Sequence, residues 1–248
     1  MICSFVLGLY PEKESKIYKY VNYDYLKEIF LDVIELENLK KITVSNFFTK
    51  DSEFKKKTYH MKISSIDSEI TIKLLKKLFL YKITNRSIFI KNNNFKIVNI
   101  YHNNIWAKQL NIKKYEEEEL KNEIEIKILT PMFFKIGNQF LSSIEPVYIL
   151  KNIIKKIKNS SLYTDKVKEY IKIFDINKVA IIEKNIDYNI LSKYKVEAIT
   201  GNIKFRIDNY TKEDLFFFNL LLQFSFFSGI GYLTEKGYGQ IKILEMNE

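Results

Sequence analysis

Hydrophobic and polar positions in the first half of the chain follow two different periods. Apolar β-rich runs predict strands at 2–10, 41–48, 57–65, 87–90 and 95–101. Apolar residues recurring three or four apart predict amphipathic helices over 23–36 and 68–80. A charged loop at 49–56 joins two of the strands. The resulting order is β-α-β-β-α-β, which is the ferredoxin-like arrangement.

The second half repeats this order with one additional helix. Strands are predicted at 124–134, 178–183, 195–207 and 238–244, and helices at 145–157, 164–174 and 212–227. Thr211 and Asp214 have the spacing of a capping box before the last helix. A charged stretch, 113–123, lies between the halves. The sequence therefore predicts an α+β protein with two tandem ferredoxin-like (βαββαβ) domains, at 1–112 and 122–248.

The charge favours a polyanionic partner without proving one. Forty Lys and Arg residues against 30 Asp and Glu give a net charge of +10 in 248 residues. The chain is also rich in Lys, Asn, Ile, Tyr and Phe, as proteins of AT-rich genomes are, so an ordinary lysine-rich surface explains the charge about as well. Charge alone therefore leaves the partner open.

Cysteine content and hydropathy limit the class of protein. Cys3 is the single cysteine, which excludes a disulfide framework and a cysteine-rich zinc site. The apolar start lacks a basic leader and a cleavage site, and the longest apolar run, 215–227, is too short to span a bilayer. These features predict a cytoplasmic protein that does not associate with membranes.

Four of the seven glycines, Gly229, Gly231, Gly237 and Gly239, fall in one short segment after the last predicted helix. A dinucleotide-binding or Walker A loop has another spacing and opens a helix, whereas this segment precedes a strand. Two Gly-x-Gly corners flanking "YLTEK" can present backbone N–H groups to an anion or to a polynucleotide backbone. The alternative is a helix C-cap at Gly229 followed by a tight turn.

This segment, "SGIGYLTEKGYGQIKI", resembles the glycine-rich loop of the CRISPR-associated repeat-RNA (pre-crRNA) processing endoribonucleases of the RAMP superfamily. "ILTPMFFKIGNQFLSSIEPVYILKNIIKKI" (128–157) is similar to the Thr-Pro-x-x-Phe segment and proline-led helix of that family. "TGNIKFRI" (200–207) and "IWAKQLNIKKYEEEEL" (105–120) also resemble its segments. The resemblance implies two ferredoxin-like folds and binding of CRISPR repeat RNA. It also implies one metal-free, cofactor-free cut by 2′-hydroxyl attack.

The same resemblance implies an RNA-binding surface in the second half. Its expected contacts are Lys236 and the glycines of the loop, with the N–H groups of Gly231 and Gly237 facing RNA. Arg206 is expected beside this loop, because its planar fork can bind phosphate or stack on a base. Lys155 and Lys156 are further candidates for phosphate contacts, with solvated surface as the alternative.

The catalytic group is less well defined, because the family histidine of the first half is replaced here by "ELENLK" (35–40). His60, Lys40 and Lys41 are the candidates for general base and phosphate-stabilising cation. A packing histidine and a solvated lysine loop are the competing interpretations.

The missing histidine keeps other functions open. A RAMP protein that binds RNA without cutting it, or a subunit of a CRISPR surveillance complex with other CRISPR-associated proteins, is the first alternative. A small-ligand or anion-binding protein with the same glycine loop is the second. A monomer and a homodimer are both compatible with the sequence.

Overall fold

The computed structural model describes residues 2–12, 36–45, 48–49, 58–90, 93–112 and 119–244. The chain divides into two structural units. One comprises Met1–Gln109 with Glu235–Gly237, and the other Leu110–Thr234 with Tyr238–Glu248. Each is a mixed α and β structure with a mostly antiparallel sheet.

The N-terminal sheet is built around its first strand. Its strands are β1 (Ile2–Pro11), β2 (Ile42–Val44), β3 (Phe48–Thr49), β4 (Tyr59–Ser65), β5 (Ser87–Ile90), β6 (Asn93–Tyr101) and β7 (Gln109–Leu110). The main order is β2-β4-β1-β6-β5, with β3 on β4 and β7 on β1. A 3-10 helix, Leu36–Lys41, leads into β2. The first strand lies between the third and the last strands of the repeat, as in a ferredoxin-like fold.

Helix α1 (Ser68–Ile83) covers one face of this sheet. The Oδ1 atom of Asp67 accepts hydrogen bonds from the backbone N–H groups of Glu69 and Ile70 and so caps the helix. Leu74 and Leu78 on α1 belong to the same core as alternate residues of β1 and β4. The opposite positions of these strands carry Ser4, His60, Lys62 and Ser64, all buried. This polar face is the location of one candidate catalytic residue.

The C-terminal sheet has the same order of strands. It contains β8 (Glu123–Met132), β11 (Val179–Leu191), β12 (Val196–Ile207) and β13 (Ile241–Leu244), arranged β11-β12-β8-β13. A separate hairpin is formed by β9 (Phe134–Ile136) and β10 (Gln139–Leu141). Ile124, Ile126 and Ile128 are buried, while the residues between them are not, which fits a sheet covered on one face.

Helices α2 (Pro146–Ile157), α3 (Asp165–Ile173) and α4 (Lys212–Ser228) belong to this unit. The Oγ1 atom of Thr211 accepts from the N–H of Asp214, and the Oδ2 atom of Asp214 accepts from the N–H of Thr211. The predicted capping box is thus confirmed. Phe216–Phe218 and Leu220–Leu222 are buried, so they form core and not a base-stacking surface.

The predicted fold class is confirmed by the two antiparallel sheets. The helix predicted over 23–36 and the charged loop at 49–56 fall outside the described residues, except that Leu36 begins the 3-10 helix and residue 49 ends β3. Strand β11 extends well beyond the predicted 178–183. The prediction stopped too early because most residues of this strand are exposed and show no apolar alternation. In the part of the chain that is described, no helix combines the length and the hydropathy needed to cross a membrane.

Candidate functional site

The glycine-rich segment forms a compact loop between α4 and β13. Gly229 caps α4 with φ 62° and donates its N–H to the Ser225 carbonyl at 2.9 Å. Within the loop, the N–H of Ile230 donates to the carbonyl of Gly239 at 2.8 Å. The C-cap interpretation of Gly229 is therefore correct, and the loop also closes on itself beyond that cap.

Residues at and just beyond the end of strand β8 accept hydrogen bonds from the backbone of this loop. Gly239 donates its N–H to the Pro131 carbonyl at 3.0 Å, and Tyr232 donates to the Phe133 carbonyl at 2.7 Å. The N–H of Gln240 donates to Oγ1 of Thr130 at 2.8 Å. The Thr-Pro-x-x-Phe segment thus provides three hydrogen-bond acceptors that fix the backbone of the loop.

Glycine is required at two positions because other backbone atoms lie against them. Gly239 has φ 59°, and a Cβ there would collide with the carbonyl oxygen of Ile230. Gly231 has φ 93°, and a Cβ there would collide with the carbonyl oxygen of Phe133. A turn after a single C-cap does not need this approach of backbone to backbone.

Helix α2 fastens the loop with two polar side chains one turn apart. Asn152 Oδ1 accepts the N–H of Gly231 at 2.9 Å. Lys156 Nζ donates to the carbonyls of Ser228 and Gly229 at 3.1 and 3.0 Å and to Oγ1 of Thr234 at 3.1 Å. Sequence reasoning missed Asn152, and for Lys156 it offered a phosphate contact or solvated surface, neither of which is its role in this structure. The available signal was their spacing of four residues along the helix, which places them on one face.

These contacts change the expected RNA contacts in the loop. The N–H of Gly231 is already donated to Asn152, so its assignment to RNA is wrong for this structure. Gly237 has φ 87°, and the partly exposed Lys236 ends a 3-10 helix, Thr234–Lys236. Lys236 and the four glycines lie in one continuous segment, in which the glycines are buried and Lys236 is partly exposed.

Arg206 does not lie beside this loop, so the position expected for it is wrong. It pairs across the sheet with Glu123 at the start of β8, whereas Ile199 pairs with Met132 at the end of β8 that holds the loop. Seven residues of strand correspond to about 23 Å. The Nε atom of Arg206 lies 2.9 Å from Oδ1 of Asp208, and its side chain is 41% exposed.

In the N-terminal unit, Lys40 and Lys41 end the 3-10 helix before β2. Lys40 is exposed, and Lys41 Nζ donates to Oδ2 of Asp67 at 3.0 Å. Burial raises the pKa of Asp67, but hydrogen bonds from Lys41 and from the N–H groups of Ile70 and Glu69 outweigh it and lower that pKa. Lys41 is thus held in an ion pair, whereas Lys40 points to solvent.

His60 lies on the polar face of β4 and is 7% exposed. Its ring packs against Tyr101, with centroids 5.6 Å apart. Lys41 accepts through its carbonyl from the N–H of Ile66, six residues beyond His60 on the same extended segment. Six residues span about 20 Å, so the structure does not bring His60 and Lys41 together.

Lys62, two residues after His60 on the same face, was not anticipated from the sequence. Its side chain is buried, and burial lowers the pKa of Lys62 well below its ordinary value, with the Lys108 ammonium lowering it further. Because this residue is only 3% exposed, Lys62 is poorly placed to contact an RNA phosphate.

Both the sequence and the fold of this chain are similar to those of known proteins. Residues 126–241 match the family model of the CRISPR-associated endoribonuclease Cas6. A search of curated proteins finds no match. A Cas6 from Thermus thermophilus, solved as a product complex, is 17% identical with a TM-score of 0.76, and the match covers 98% of this chain and 99% of that one.

Two other solved structures are similar over the whole chain. Another Cas6 product complex is 15% identical with a TM-score of 0.75, covering 99% of this chain and 100% of that one. The product of a Cas6-related gene from Pyrococcus furiosus is 14% identical with a TM-score of 0.59, and the match covers 100% of both chains. The resemblance to the CRISPR-associated repeat-RNA processing endoribonucleases is therefore confirmed, by sequence over residues 126–241 and by fold over nearly the whole chain.

Proposed function

We propose that this protein binds CRISPR repeat RNA and cuts the precursor transcript into guide RNAs. The observation that carries the proposal is the glycine-rich loop, which lies inside the matched residues 126–241 and needs glycine for close backbone approach. Two of the similar solved structures are product complexes, and a further one is described as a RAMP protein binding different RNA substrates. Lys236, which is partly exposed, is the proposed contact from the loop to an RNA phosphate.

The proposed chemistry requires no metal. The ribose 2′-oxygen attacks the adjacent phosphorus, the bond to the 5′-oxygen breaks, and a cyclic phosphate remains. A base takes the proton from the 2′-hydroxyl, an acid protonates the leaving 5′-oxygen, and a cation stabilises the crowded phosphate.

Among the candidate catalytic residues, Lys40 has the best access. It is exposed directly before β2, at the end of the "ELENLK" segment that replaces the family histidine. Lys41 is engaged by Asp67, and His60 is buried about 20 Å away along β4. We therefore propose Lys40 as the cation beside the scissile phosphate. We keep His60 as a separate candidate for the base, because the two regions cannot both contact one phosphate.

A protein that binds repeat RNA without cutting it is the second candidate function. The specific observation in its favour is the absence of a histidine from 35–40, together with the distance between His60 and the Lys40–Lys41 pair. In that case the protein protects or presents the RNA, alone or with other CRISPR-associated proteins.

Incubation with end-labelled repeat RNA in EDTA separates these functions. A single cut that leaves a cyclic phosphate supports the metal-independent nuclease. Tight binding without a cut supports the binding protein. Absence of binding contradicts both and leaves an anion-binding role for the loop.

A further inference from the structure

Five aromatic rings meet beside the glycine-rich loop and form what we call the tyrosine cluster, defined as Phe133, Phe140, Tyr194, Tyr232 and Tyr238. Phe133 is completely buried at its centre. Its ring centroid lies between 5.3 and 5.9 Å from those of the other four residues. The outer four rings are only partly buried. The cluster is therefore a small core with an aromatic outer surface.

Three separate elements contribute to this surface. Phe140 comes from the β9–β10 hairpin, and Tyr194 comes from the turn Ser192–Lys195 between β11 and β12. Tyr232 and Tyr238 come from the glycine-rich loop itself. Because the N–H of Tyr232 donates to the carbonyl of Phe133, the ring of Tyr232 is positioned by the same hydrogen bonds that order the loop.

Exposed lysines lie over the outer rings. Lys135 Nζ is 5.9 Å from the centroid of Phe140 and 5.6 Å from that of Tyr232. Lys193 Nζ is 5.6 Å from the centroid of Tyr194. Both lysines are exposed. The outer rings are partly exposed to solvent, and the ammonium groups beside them attract an anion to the same place.

We propose that the tyrosine cluster binds unpaired nucleotides of RNA, with bases stacked on Tyr232 and Phe140 and phosphates held by Lys135 and Lys193. Stacking requires a free base face, which single-stranded RNA offers and a duplex does not. The positive rim favours RNA over an apolar protein segment as the occupant. This inference rests on the proposed RNA-binding function and extends it to the single-stranded part of the RNA.

The test measures binding of a fluorescein-labelled oligoadenylate of about 12 nucleotides to the full chain by fluorescence anisotropy. Tyr232→Leu and Phe140→Leu each remove one ring and are expected to weaken binding about tenfold. Tyr232→Phe keeps the ring and is expected to restore affinity to within about twofold. An RNA duplex of the same length is expected to bind with an affinity that neither leucine variant changes.

The lysines have a separate signature in the dependence on salt. Lys135→Gln is expected to reduce the slope of log affinity against log salt by about 0.7, because one phosphate contact is lost, whereas Tyr232→Leu leaves the slope unchanged. Lys172→Gln on α3 removes an exposed lysine from another element and is the matched control, with an unchanged slope. Thermal melts check that each variant is folded. If Tyr232→Leu does not fold, Phe140→Leu on the exposed hairpin provides the test.

Equal affinity of the wild type and both leucine variants for oligoadenylate overturns the inference and makes the cluster a protein-binding or purely structural surface. The proposed function has its own readout in the repeat RNA. If repeat RNA is bound and cut equally by all variants, only the inference fails. If the wild type binds no RNA, the proposed function fails and the inference fails with it.

Discussion

The Nζ atom of Lys156 donates a hydrogen bond to the carbonyl oxygen of Gly229 at 3.0 Å. One ammonium group on α2 thereby closes the C-terminal end of α4 at the residue where the glycine-rich loop begins. A cation at this position also faces the negative end of the α4 dipole. The orientation of the loop therefore depends on a side chain that lies far from it in sequence.

Replacement of Lys156 by Met is expected to destabilise the protein and loosen the loop. The change removes a charged donor from three acceptors, which corresponds to about 2 kcal/mol. Urea unfolding measures the loss, and hydrogen exchange over 229–240 is expected to accelerate. Lys155→Met changes the exposed neighbouring residue and serves as the control, with stability and exchange unchanged. Equal effects of the two variants would show that Lys156 does not order the loop.

Gly239 in the glycine-rich loop and Gly137 in the turn between β9 and β10 have nearly the same φ angle but differ in how closely other atoms approach them. Their φ angles are 59° and 58°, but a Cβ on Gly239 collides with the carbonyl of Ile230, whereas one on Gly137 meets no atom within 4 Å. Gly137→Ala is expected to cost about 1 kcal/mol from the left-handed backbone alone. Gly239→Ala is expected to cost at least about 2 kcal/mol more, because the loop must move. Thermal unfolding compares them, and similar melting temperatures would contradict the packing argument.

Asp214 is expected to stabilise the start of α4 in a manner that depends on pH. Its side chain is 4% exposed, and its Oδ2 atom lies 2.6 Å from Lys178 Nζ. Burial raises the pKa of Asp214, but the hydrogen bonds from Lys178 and Thr211 lower it overall. The folded-state pKa of Asp214 thus lies below the unfolded value of about 3.9. The carboxylate therefore contributes fully to the free energy of unfolding above about pH 4, and this contribution is lost as the pH falls through the folded-state pKa.

Asp214→Asn is therefore expected to cost about 1–2 kcal/mol at pH 7 and to flatten the loss of stability in acid. Asp165→Asn at the start of α3 is the control, because Asp165 is 94% exposed in its pair with Lys168 and is expected to contribute no measurable stability. Urea midpoints at pH 7 and in acid provide the measurement. If the stability of the wild type and of Asp214→Asn falls equally steeply as the pH is lowered, the role assigned to Asp214 is contradicted.

Substitutions at the candidate catalytic residues separate the two distant regions of the N-terminal unit. Lys40→Ala is expected to slow cleavage of repeat RNA at least about tenfold with little change in affinity, because a cation beside the phosphate acts mainly in the transition state. Lys41→Ala is the neighbouring control, and its effect is expected to be smaller because Lys41 already binds Asp67. Single-turnover rates and Kd values measure these effects. If Lys40→Ala cleaves at the wild-type rate while His60→Ala cleaves slowly, the catalytic site lies at His60 on β4 and not at Lys40.

The sequence by itself determined the main helices of the described residues, the capping box and the position of the glycine-rich loop. Hydrophobic periodicity is a local property, so it placed α1, α2 and α4 within a few residues of their observed bounds. The capping box is also local, since Thr211 and Asp214 are three residues apart. Glycines crowded between a helix and a strand indicated close backbone approach before any partner atom was known.

Only the tertiary structure decided which residues meet. Arg206 lies six positions before the first residue of α4, but this 17-residue helix returns the chain by about 25 Å, so the glycine-rich loop lies at the other end of the sheet. Strand register likewise separates His60 from Lys41. Asn152 and Lys156 reach the loop through helix packing, which depends on residues more than 70 positions away. The four-residue spacing of Asn152 and Lys156 places them on one helix face, but the segment that this face contacts is set by packing between distant parts of the chain.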